Sequence, residues 1–388
     1  MRIGINLLGL LPGMIGGVET YIRGLLNGLS RVDTDNEYVI FANRENWATF
    51  NGFPENFKLV RCDFSGRWTI PSLFLTRVLG EQLYLPRRAG QERLDVLHSP
   101  LDTTPLVAPC ATVMTLHDLN FDAVPEATTA LRRRIAKSLV RTCARKATAV
   151  VTVSEFSRRE IIRDMGLSPK RVEVVYNAPG RDRCANEHQW SALARKFNLA
   201  LPYVIAFSSL NPHKNLGRLI AAFANLQPQC KWQLLIVGHL PTRGDSLRDL
   251  AVKHGVERWV IFSGYLGDGD VTLALQHARL LAFPSLYEGF GIPVIEAMNM
   301  GVPVACSNAA ALPEVAGGAA LLFDPCSAEE ISAALSRLLT DGSLRESLIA
   351  AGYNNARRFS WTRSAEQMVA VYQRACRPGF AGRMSRAQ

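Results

Sequence analysis

Several features that would identify common protein classes are missing from this sequence. No run of about 18 apolar residues occurs, so no transmembrane helix is predicted. The eight cysteines are scattered and none forms a CxxC pair, so buried reduced thiols are expected rather than a zinc site. Hydrophobic residues make up 48% and charged residues 20%, which is typical of a globular protein and excludes a disordered or fibrous chain.

Acidic residues are absent from a long internal segment. Between Glu126 and Glu155 there is no Asp or Glu, while seven basic residues occur there. Apolar residues recur among them at helical spacing, which predicts a basic amphipathic helix over 131–146. Two interpretations remain open: a solvated face of a helix packed on its own domain, or a surface attracted to anionic lipid at about 1 kcal/mol per base. The acid-free tail 374–388, with four arginines, either adds to such a surface or is disordered. Nucleic acid ranks lowest as a partner, because no aromatic residues are interleaved in a basic groove.

Short apolar runs alternate with amphipathic stretches along almost the whole chain, which predicts an α/β fold with two doubly wound parallel sheets covered by helices. In the first half the predicted strands are Ile3–Leu7, Tyr38–Ala42, Leu59–Cys62, Val96–His98, Thr112–Leu116, Ala149–Val153 and Val172–Val175. In the second half they are Tyr203–Phe207, Gln233–Val237, Val260–Ser263, Leu280–Phe283, Val302–Ala305 and Ala320–Phe323.

A chain of 388 residues is too long for one ordinary core, so two domains are expected. The turn-rich stretch Asn177–Arg183 is interpreted as the linker between them. We therefore predict an N-terminal domain over residues 1–180, a C-terminal domain over 181–360, and a last helix with a basic tail over 361–388 that crosses back to the first domain. The start of the chain is interpreted as the first buried strand of a cytoplasmic enzyme, because no cleavage site follows it.

The most informative local sequence is SLYEGFGIPVIEAM at 285–298. A strand runs into a loop with Gly289, Phe290 and Gly291, and a helix begins near Pro293, since proline suits the first turn of a helix. Such a loop presents backbone N–H groups where doubly wound sheets bind ligands. Two carboxylates, Glu288 and Glu296, lie on either side of it. A carboxylate can accept hydrogen bonds from two sugar hydroxyls, so both are candidates for binding an extended sugar-containing ligand.

A second loop, 208–216, follows the predicted strand Tyr203–Phe207 and precedes a helix. It contains Lys214 at the helix start, where a cation and backbone N–H groups together suit a diphosphate. In the first half, the Gly16-Gly17 turn at a helix start is ready to bind an anion. The dipeptide His117-Asp118 ends a predicted strand and faces the same edge, which favours a substrate role for His117 with Asp118 orienting it or contacting the substrate.

Two DxD sequences occur, and neither follows a buried strand as a metal-nucleotide site would require. Asp268-Gly269-Asp270 is interpreted as a helix N-cap, and Asp33-Thr34-Asp35 as a polar connection. We therefore predict no metal site.

With these residues in place, the sequence resembles glycosyltransferase family 4, whose members have the GT-B fold, over nearly its full length. The E-x7-E element from Glu288 to Glu296 is the most specific sign. Other matching sequences are GGVET at 16–20, TLHDLNF at 115–121, VTVSEFSRREI at 151–161, NPHKNL at 211–216 and LPEVAGGAALLFDP at 312–325. Together they are most similar to the mannosyltransferase-like branch that builds bacterial surface polysaccharides.

The resemblance implies two Rossmann-like domains with a catalytic cleft between them and a role for each matching residue. Glu288 would contact the donor sugar, Glu296 the nucleotide ribose, and His117 the transferred sugar. Lys214 would bind the diphosphate, approached by the Gly16-Gly17 loop, and amides of 289–291 would contact sugar hydroxyls or phosphate. The family's usual arginine, five residues before the lysine, is replaced by Ser209. His213 and Arg218 are the candidates for the missing charge.

The resemblance further implies transfer with retention of anomeric configuration, without a metal or other cofactor. We expect a nucleotide-sugar donor, with GDP-mannose as the first candidate, and a lipid-linked glycan acceptor at the inner face of the cytoplasmic membrane. The alternatives are a UDP-sugar-dependent transferase of the same fold and a sugar-nucleotide epimerase. A phosphorylase would need pyridoxal phosphate, and a non-catalytic scaffold would be expected to lack His117, Lys214 or Glu288.

Overall fold

A computed structural model of the chain describes residues 1–13, 16–63, 79–119, 130–183, 187–209, 211–226, 232–240 and 246–377. These residues form two compact units, each built around one parallel β-sheet. The seven-stranded sheet and the last helix belong to the first unit, and the six-stranded sheet belongs to the second.

The strands of the first sheet are β1 Arg2–Leu7, β2 Glu37–Ala42, β3 Phe57–Arg61, β4 Val96–Ser99, β5 Ala111–Thr115, β6 Ala149–Thr152 and β7 Val172–Val174. Those of the second are β8 Tyr203–Phe207, β9 Gln233–Val237, β10 Val260–Gly264, β11 Leu280–Phe283, β12 Val304–Ser307 and β13 Leu321–Phe323. The sheet orders are β3-β2-β1-β4-β5-β6-β7 and β10-β9-β8-β11-β12-β13, with parallel pairing throughout. Both orders reverse direction once, as in doubly wound folds.

The described helices lie between the strands. They are α1 Gly16–Val32, α2 Leu85–Gln91, α3 Ala130–Lys146, α4 Glu155–Met165, α5 Glu187–Lys196, α6 Leu216–Ala224, α7 Leu247–Lys253, α8 Asp268–Gln276, α9 Ile292–Asn299, α10 Leu312–Ala316, α11 Ala328–Thr340, α12 Gly342–Ala356 and α13 Trp361–Ala375. A π-helical turn, Gly80–Tyr84, leads into α2. None of the helices in the described ranges is both long enough and apolar enough to cross a membrane.

The predicted fold class is confirmed, and each predicted strand has a counterpart. Three predicted strands are displaced: Leu59–Cys62 is observed as Phe57–Arg61, Thr112–Leu116 as Ala111–Thr115, and Val302–Ala305, the largest shift, as Val304–Ser307. The cause of this largest shift is the end of α9, where Gly301 has φ +73° and the Val302 N–H donates back to the Ala297 carbonyl at 2.8 Å. These residues complete the helix terminus, so strand pairing starts only after Pro303.

The last helix packs on α1 within the first unit. Gly24 and Gly28 of α1 lie against Trp361, and a Cβ at either position would overlap Trp361. The Ser364 hydroxyl donates to the Tyr176 carbonyl at 2.7 Å. Close approach of two helices therefore depends on glycine where the bulky tryptophan lies.

In both units the central strands, such as β1, β8, β9 and β11, are buried on both faces, and the carboxyl ends of the parallel strands lie on one side of each sheet. The loops that leave β8 and β11 in the second unit, and β1 and β5 in the first, therefore carry the predicted site residues. This side is where doubly wound sheets bind ligands.

Candidate functional site

In the second unit, the loop between β11 and α9 is shaped by glycine. Gly291 has φ +103°, a left-handed conformation that L side chains rarely adopt, and it precedes the first residue of α9. A Cβ at this position would lie 2.7 Å from a methyl carbon of Leu312. Pro293 occupies the first turn of the helix, as predicted. The loop backbone is thus held by steric constraints that only glycine satisfies.

Glu288 and Lys214 come from different loops and meet at the carboxyl-terminal ends of the strands of the second sheet. The Lys214 ammonium lies 2.6 Å from Oε1 of Glu288, and both side chains are largely buried at 19% and 14% exposure. His213 Nε2 lies 3.9 Å from the same oxygen. The Leu286 N–H donates to the His213 carbonyl at 2.8 Å, which joins the two loops directly. The structure therefore brings together three of the predicted site residues.

The charges of this cluster follow from its surroundings. Burial alone would raise the pKa of Glu288, but the nearby Lys214 and His213 outweigh it and hold that pKa below its ordinary value. Burial lowers the pKa of His213, and the attraction of Glu288 does not compensate for it. At neutral pH the cluster consequently contains an ionised carboxylate at Glu288 beside a neutral imidazole at His213.

The turn that carries Lys214 is stabilised by side-chain hydrogen bonds from Asn215 and Arg218. Asn215 has φ +57°, and its side-chain amide donates to the carbonyls of Pro284 at 3.1 Å and Pro325 at 2.7 Å. Arg218 donates to the Asn215 side-chain oxygen at 2.9 Å and to the Pro325 carbonyl at 3.1 Å. Arg218 thus supports the loop, whereas His213 lies beside the pair itself.

Ser209 occupies the position where the family resemblance predicts an arginine. Its hydroxyl accepts a hydrogen bond from the Asn211 N–H at 3.3 Å. The serine therefore contributes to the loop geometry ahead of Lys214 and supplies no charge.

Glu296 lies in α9 with its side chain fully buried. Its carboxylate accepts hydrogen bonds from Arg181 NH1, at 3.1 Å to Oε1 and 2.9 Å to Oε2, and from the Gly180 N–H at 3.1 Å. Burial raises the pKa of Glu296, and Arg181 and Gly180 reduce that rise without abolishing it. Sequence reasoning missed Arg181. The only signal was a basic residue in an otherwise turn-rich stretch.

One DxD interpretation is corrected by the structure. Gly267, and not an aspartate, is the N-cap of α8, and no side-chain cap bond is formed there. Asp268 is the first residue of the helix, and its carboxylate pairs with Arg181 NH2 at 2.7 Å. A carboxylate in the first turn is favourable through the helix dipole even without capping. Within the described part of the chain, no group of three or more His, Cys, Asp or Glu side chains could hold a metal ion.

In the first unit, His117 follows β5 at the carboxyl edge. Its Nε2 lies 3.0 Å from the Pro100 carbonyl, and its backbone N–H donates to Asp102 at 3.2 Å. Since a carbonyl only accepts, Nε2 carries the proton. Burial lowers the pKa of His117 despite the opposing effects of Pro100 and Asp118, so the ring is neutral. Its Nδ1 is then a hydrogen-bond acceptor.

A buried polar network supports the strand end below His117. Tyr21 packs edge-on against the His117 ring, with centroids 4.8 Å apart. The Thr115 hydroxyl lies 2.9 Å from the Tyr21 hydroxyl and 2.8 Å from His98 Nε2, while His98 Nδ1 lies 2.8 Å from the Tyr372 hydroxyl. Burial, with a smaller contribution from His117, lowers the pKa of His98 to about 3, so this histidine is a neutral structural group. Sequence analysis did not single out the network, although polar residues inside apolar strands were a usable signal.

The first glycine turn is described in part. Helix α1 begins at Gly16 with φ +38°, followed by Gly17, and Met14 and Ile15 lie outside the described residues. Glu19 in its first turn accepts from the Gly13 N–H at 2.7 Å. Asp118 is half-buried directly after His117. The structure thus places Gly16, Gly17, His117 and Asp118 in one unit, and Lys214, Glu288 and Glu296 in the other.

The predicted basic helix is α3, with side chains described from Arg134 onward. Its exposed basic residues are Arg134, Lys137, Arg141, Arg145 and Lys146. Ile135 on the same helix is 54% exposed, and Val107 of the same unit is 80% exposed. The side chains of 131–133 and the tail beyond residue 377 lie outside the described residues.

Two family models match the chain. The model described as Glycosyltransferase Family 4 covers residues 15–179, and that described as Glycosyl transferases group 1 covers residues 193–355. The first model ends inside the stretch 177–183, and the second begins ten residues beyond it.

Curated relatives and a solved structure agree with these models. The O-antigen chain mannosyltransferase B of Escherichia coli is 33% identical over 265 residues, which is 67% of this chain and 70% of that protein. The MMP alpha-(1->4)-mannosyltransferase of Mycolicibacterium hassiacum is 35% identical over 60% of this chain and 55% of its own length. The sucrose-phosphate synthase of Thermosynechococcus elongatus has a similar fold, with a TM-score of 0.75 at 19% identity over 96% of this chain and 98% of that chain.

Proposed function

This chain belongs to glycosyltransferase family 4, and on that premise we propose that it is a retaining transferase that moves mannose from GDP-mannose to a lipid-linked glycan. The observation that carries the proposal is the Lys214–Glu288 pair in the glycine-shaped loops at the carboxyl edge of the second sheet. Mannose is favoured because two relatives at 33% and 35% identity are mannosyltransferases.

In this proposal the donor diphosphate takes the place of Glu288 as partner of the Lys214 ammonium. A diphosphate carries more charge than a carboxylate and also accepts hydrogen bonds from loop amides such as those of 289–291. Glu288, released from the lysine, then accepts hydroxyl hydrogen bonds from the donor sugar. The proposal therefore requires the cation and the anion of this pair to separate when the donor binds.

Two histidines, one in each unit, also have proposed roles. His213 is close enough to the Lys214–Glu288 pair to supply the charge that Ser209 lacks once a diphosphate raises its pKa. His117 presents a neutral ring whose Nδ1 accepts a hydrogen bond, which suits a hydroxyl of the transferred sugar.

The proposed chemistry is a front-face displacement at the anomeric carbon. The bond from the sugar to the diphosphate breaks, the acceptor hydroxyl oxygen bonds to the same face, and its proton passes to the departing diphosphate oxygen. Lys214, the loop amides and the helix N-termini stabilise the charge that develops on the leaving group. We propose that this stabilisation replaces a metal ion, so that turnover persists in a chelator.

The acceptor side of the proposal relies on the basic surface of α3. Exposed bases on one helix, with Ile135 and Val107 exposed in the same unit, suit an anionic bilayer that presents a lipid-linked acceptor. Vesicle co-sedimentation tests this: phosphatidylcholine with phosphatidylglycerol should bind the protein more tightly than phosphatidylcholine alone. Replacing Arg134, Lys137 and Arg141 with glutamine should remove the difference, whereas the matched change of exposed Lys253, Arg258 and Arg357 should not. Equal binding by both triple variants would reject the surface.

A transfer assay tests the reaction. Labelled GDP-mannose, UDP-glucose and UDP-N-acetylglucosamine are each incubated with lipid-extracted polyprenyl-diphosphate glycans, and label is followed into the lipid phase. Mannose incorporation is the expected result. Incorporation from a UDP-sugar would keep the enzyme class and change the donor, and conversion of the sugar nucleotide without an acceptor would indicate an epimerase instead.

A further inference from the structure

Arg181 connects the proposed ribose-binding carboxylate to a neighbouring helix within the second unit. One guanidinium nitrogen, NH1, donates to both oxygens of Glu296, and NH2 donates to Asp268 at the start of α8. The arginine side chain is 22% exposed, whereas Glu296 is fully buried and Asp268 is 88% exposed. The guanidinium therefore has one partner inside the protein and one at the surface.

The hydrogen bonds around Glu296 leave room for one more donor. A carboxylate offers about four acceptor positions, two on each oxygen. Oε1 accepts from the Gly180 N–H at 3.1 Å and from Arg181 at 3.1 Å, so both of its positions are used. Among the described residues, Oε2 accepts only from Arg181, at 2.9 Å, so they use one of its two positions.

These contacts satisfy the hydrogen-bonding groups of Glu296 more completely than those of Arg181. Within the described residues, the buried Nε of Arg181 makes no hydrogen bond, although it is a donor. A buried ion pair is in itself weak evidence for stability, because desolvating two charges offsets their attraction. An arrangement that leaves one of the arginine's own donors unsatisfied while it fixes Glu296 is explained more simply by the need to hold the carboxylate.

Resting on the nucleotide site proposed above, we propose that Arg181 is a positioning residue that fixes the orientation and charge of Glu296, so that Oε2 accepts a hydrogen bond from a ribose hydroxyl. Removing the guanidinium has two consequences. The carboxylate is free to rotate about its side-chain bonds, and the remaining neighbours favour its protonated form because burial raises its pKa. A protonated acid donates from one oxygen and is a poorer acceptor, so the ribose contact is lost.

The test compares two ligands that differ only at the ribose. GDP and 2′,3′-dideoxy-GDP are titrated calorimetrically into the full chain as wild type, Arg181→Met and Glu296→Gln. Wild type should bind GDP at least about 10-fold more tightly than the dideoxy compound, since a hydrogen bond to a charged group is being compared with none. Both variants should bind the two ligands within about 3-fold of each other. A structural role for Arg181 would weaken both ligands equally and keep the ratio.

Three controls keep the outcomes distinct. Arg181→Lys retains the positive charge but lacks the forked guanidinium. It should recover part of the GDP to dideoxy-GDP affinity ratio, which distinguishes an effect of charge from a folding defect. Asp268→Asn removes the exposed partner only and should keep the full ratio. Arg183→Met, at an exposed position two residues away, should also keep it. If Arg181→Met keeps the wild-type ratio, the positioning role is wrong. If wild type binds no nucleoside diphosphate at all, the proposed function fails instead.

Discussion

The Lys214 ammonium lies 2.6 Å from Glu288 Oε1, so the two residues proposed to bind different parts of one donor form a direct ion pair. In the proposed function, the donor must break this contact when it binds. A strongly charged diphosphate can displace the carboxylate, whereas a neutral sugar cannot. In the proposed function, the pair would therefore favour the whole sugar nucleotide over a free sugar.

Replacing Lys214 with alanine should lower turnover at least 100-fold. The residue is proposed to stabilise the leaving diphosphate, and removing one preorganised donor of this kind costs about 2.7–4 kcal/mol of barrier. Steady-state kinetics measure the effect, with the thermal melting curve as a check on folding. The exposed Lys253→Ala is the matched control and should retain full activity. Near-normal turnover by Lys214→Ala would remove Lys214 from the reaction.

Glu288 should stabilise the protein only where it is ionised. Its pKa in the folded chain is below the ordinary value of 4.5, so its stabilising contribution is present above that pH and is lost as the pH falls through the lower, folded value. The difference in melting temperature between wild type and Glu288→Gln should therefore be largest at neutral pH and shrink below pH 4.5. A difference that grows on acidification would contradict the assigned direction.

Binding of a nucleoside diphosphate should take up a proton at His213. The pKa of this histidine lies below 6.5 without ligand, and an adjacent diphosphate raises it. Affinity should consequently be higher near pH 6 than near pH 8. Calorimetry in buffers of different ionisation enthalpy measures the proton, which His213→Gln should abolish. An unchanged proton uptake in that variant would assign it to another group.

His117→Ala should lower kcat/KM for transfer at least about 10-fold and leave GDP affinity unchanged, because its proposed contact is with the sugar and not the nucleotide. Tyr21→Phe keeps the ring that packs on His117 and loses only the hydroxyl near Thr115. It should cost about 1 kcal/mol of stability with little effect on transfer. A large loss of GDP affinity in His117→Ala would place the histidine elsewhere.

Gly291→Ala should destabilise the protein by more than about 1 kcal/mol. The substitution forces a Cβ into a left-handed conformation and places it 2.7 Å from Leu312. Gly255→Ala is the matched control, since its φ is +67° and no heavy atom lies within 4 Å of the added Cβ. Denaturant unfolding should show a clearly smaller loss for the control, and equal losses would deny the packing constraint at Gly291.

The strands were predictable because parallel sheets bury both faces, which leaves unbroken apolar runs such as Leu280–Phe283. The loop residues were predictable from glycine and proline, as at Gly291 and Pro293. The partner of each charge was not, because it depends on which distant loops the topology brings together. Glu296 and Arg181 are separated by 115 positions, and no spacing rule connects them. The start of a strand is also hard to predict at Val302, because an apolar residue fits the end of a helix as well as the beginning of a strand.

The measurement that tests the central claim most directly is a calorimetric titration of the full chain with GDP, UDP and ADP in a chelating buffer. We expect GDP to bind at least about 10-fold more tightly than the other two, with Lys214→Ala weakening it strongly. Preference for UDP or ADP would contradict GDP-mannose as the donor, but the assignment as a glycosyltransferase would stand. No binding of any nucleotide would contradict the proposed site itself.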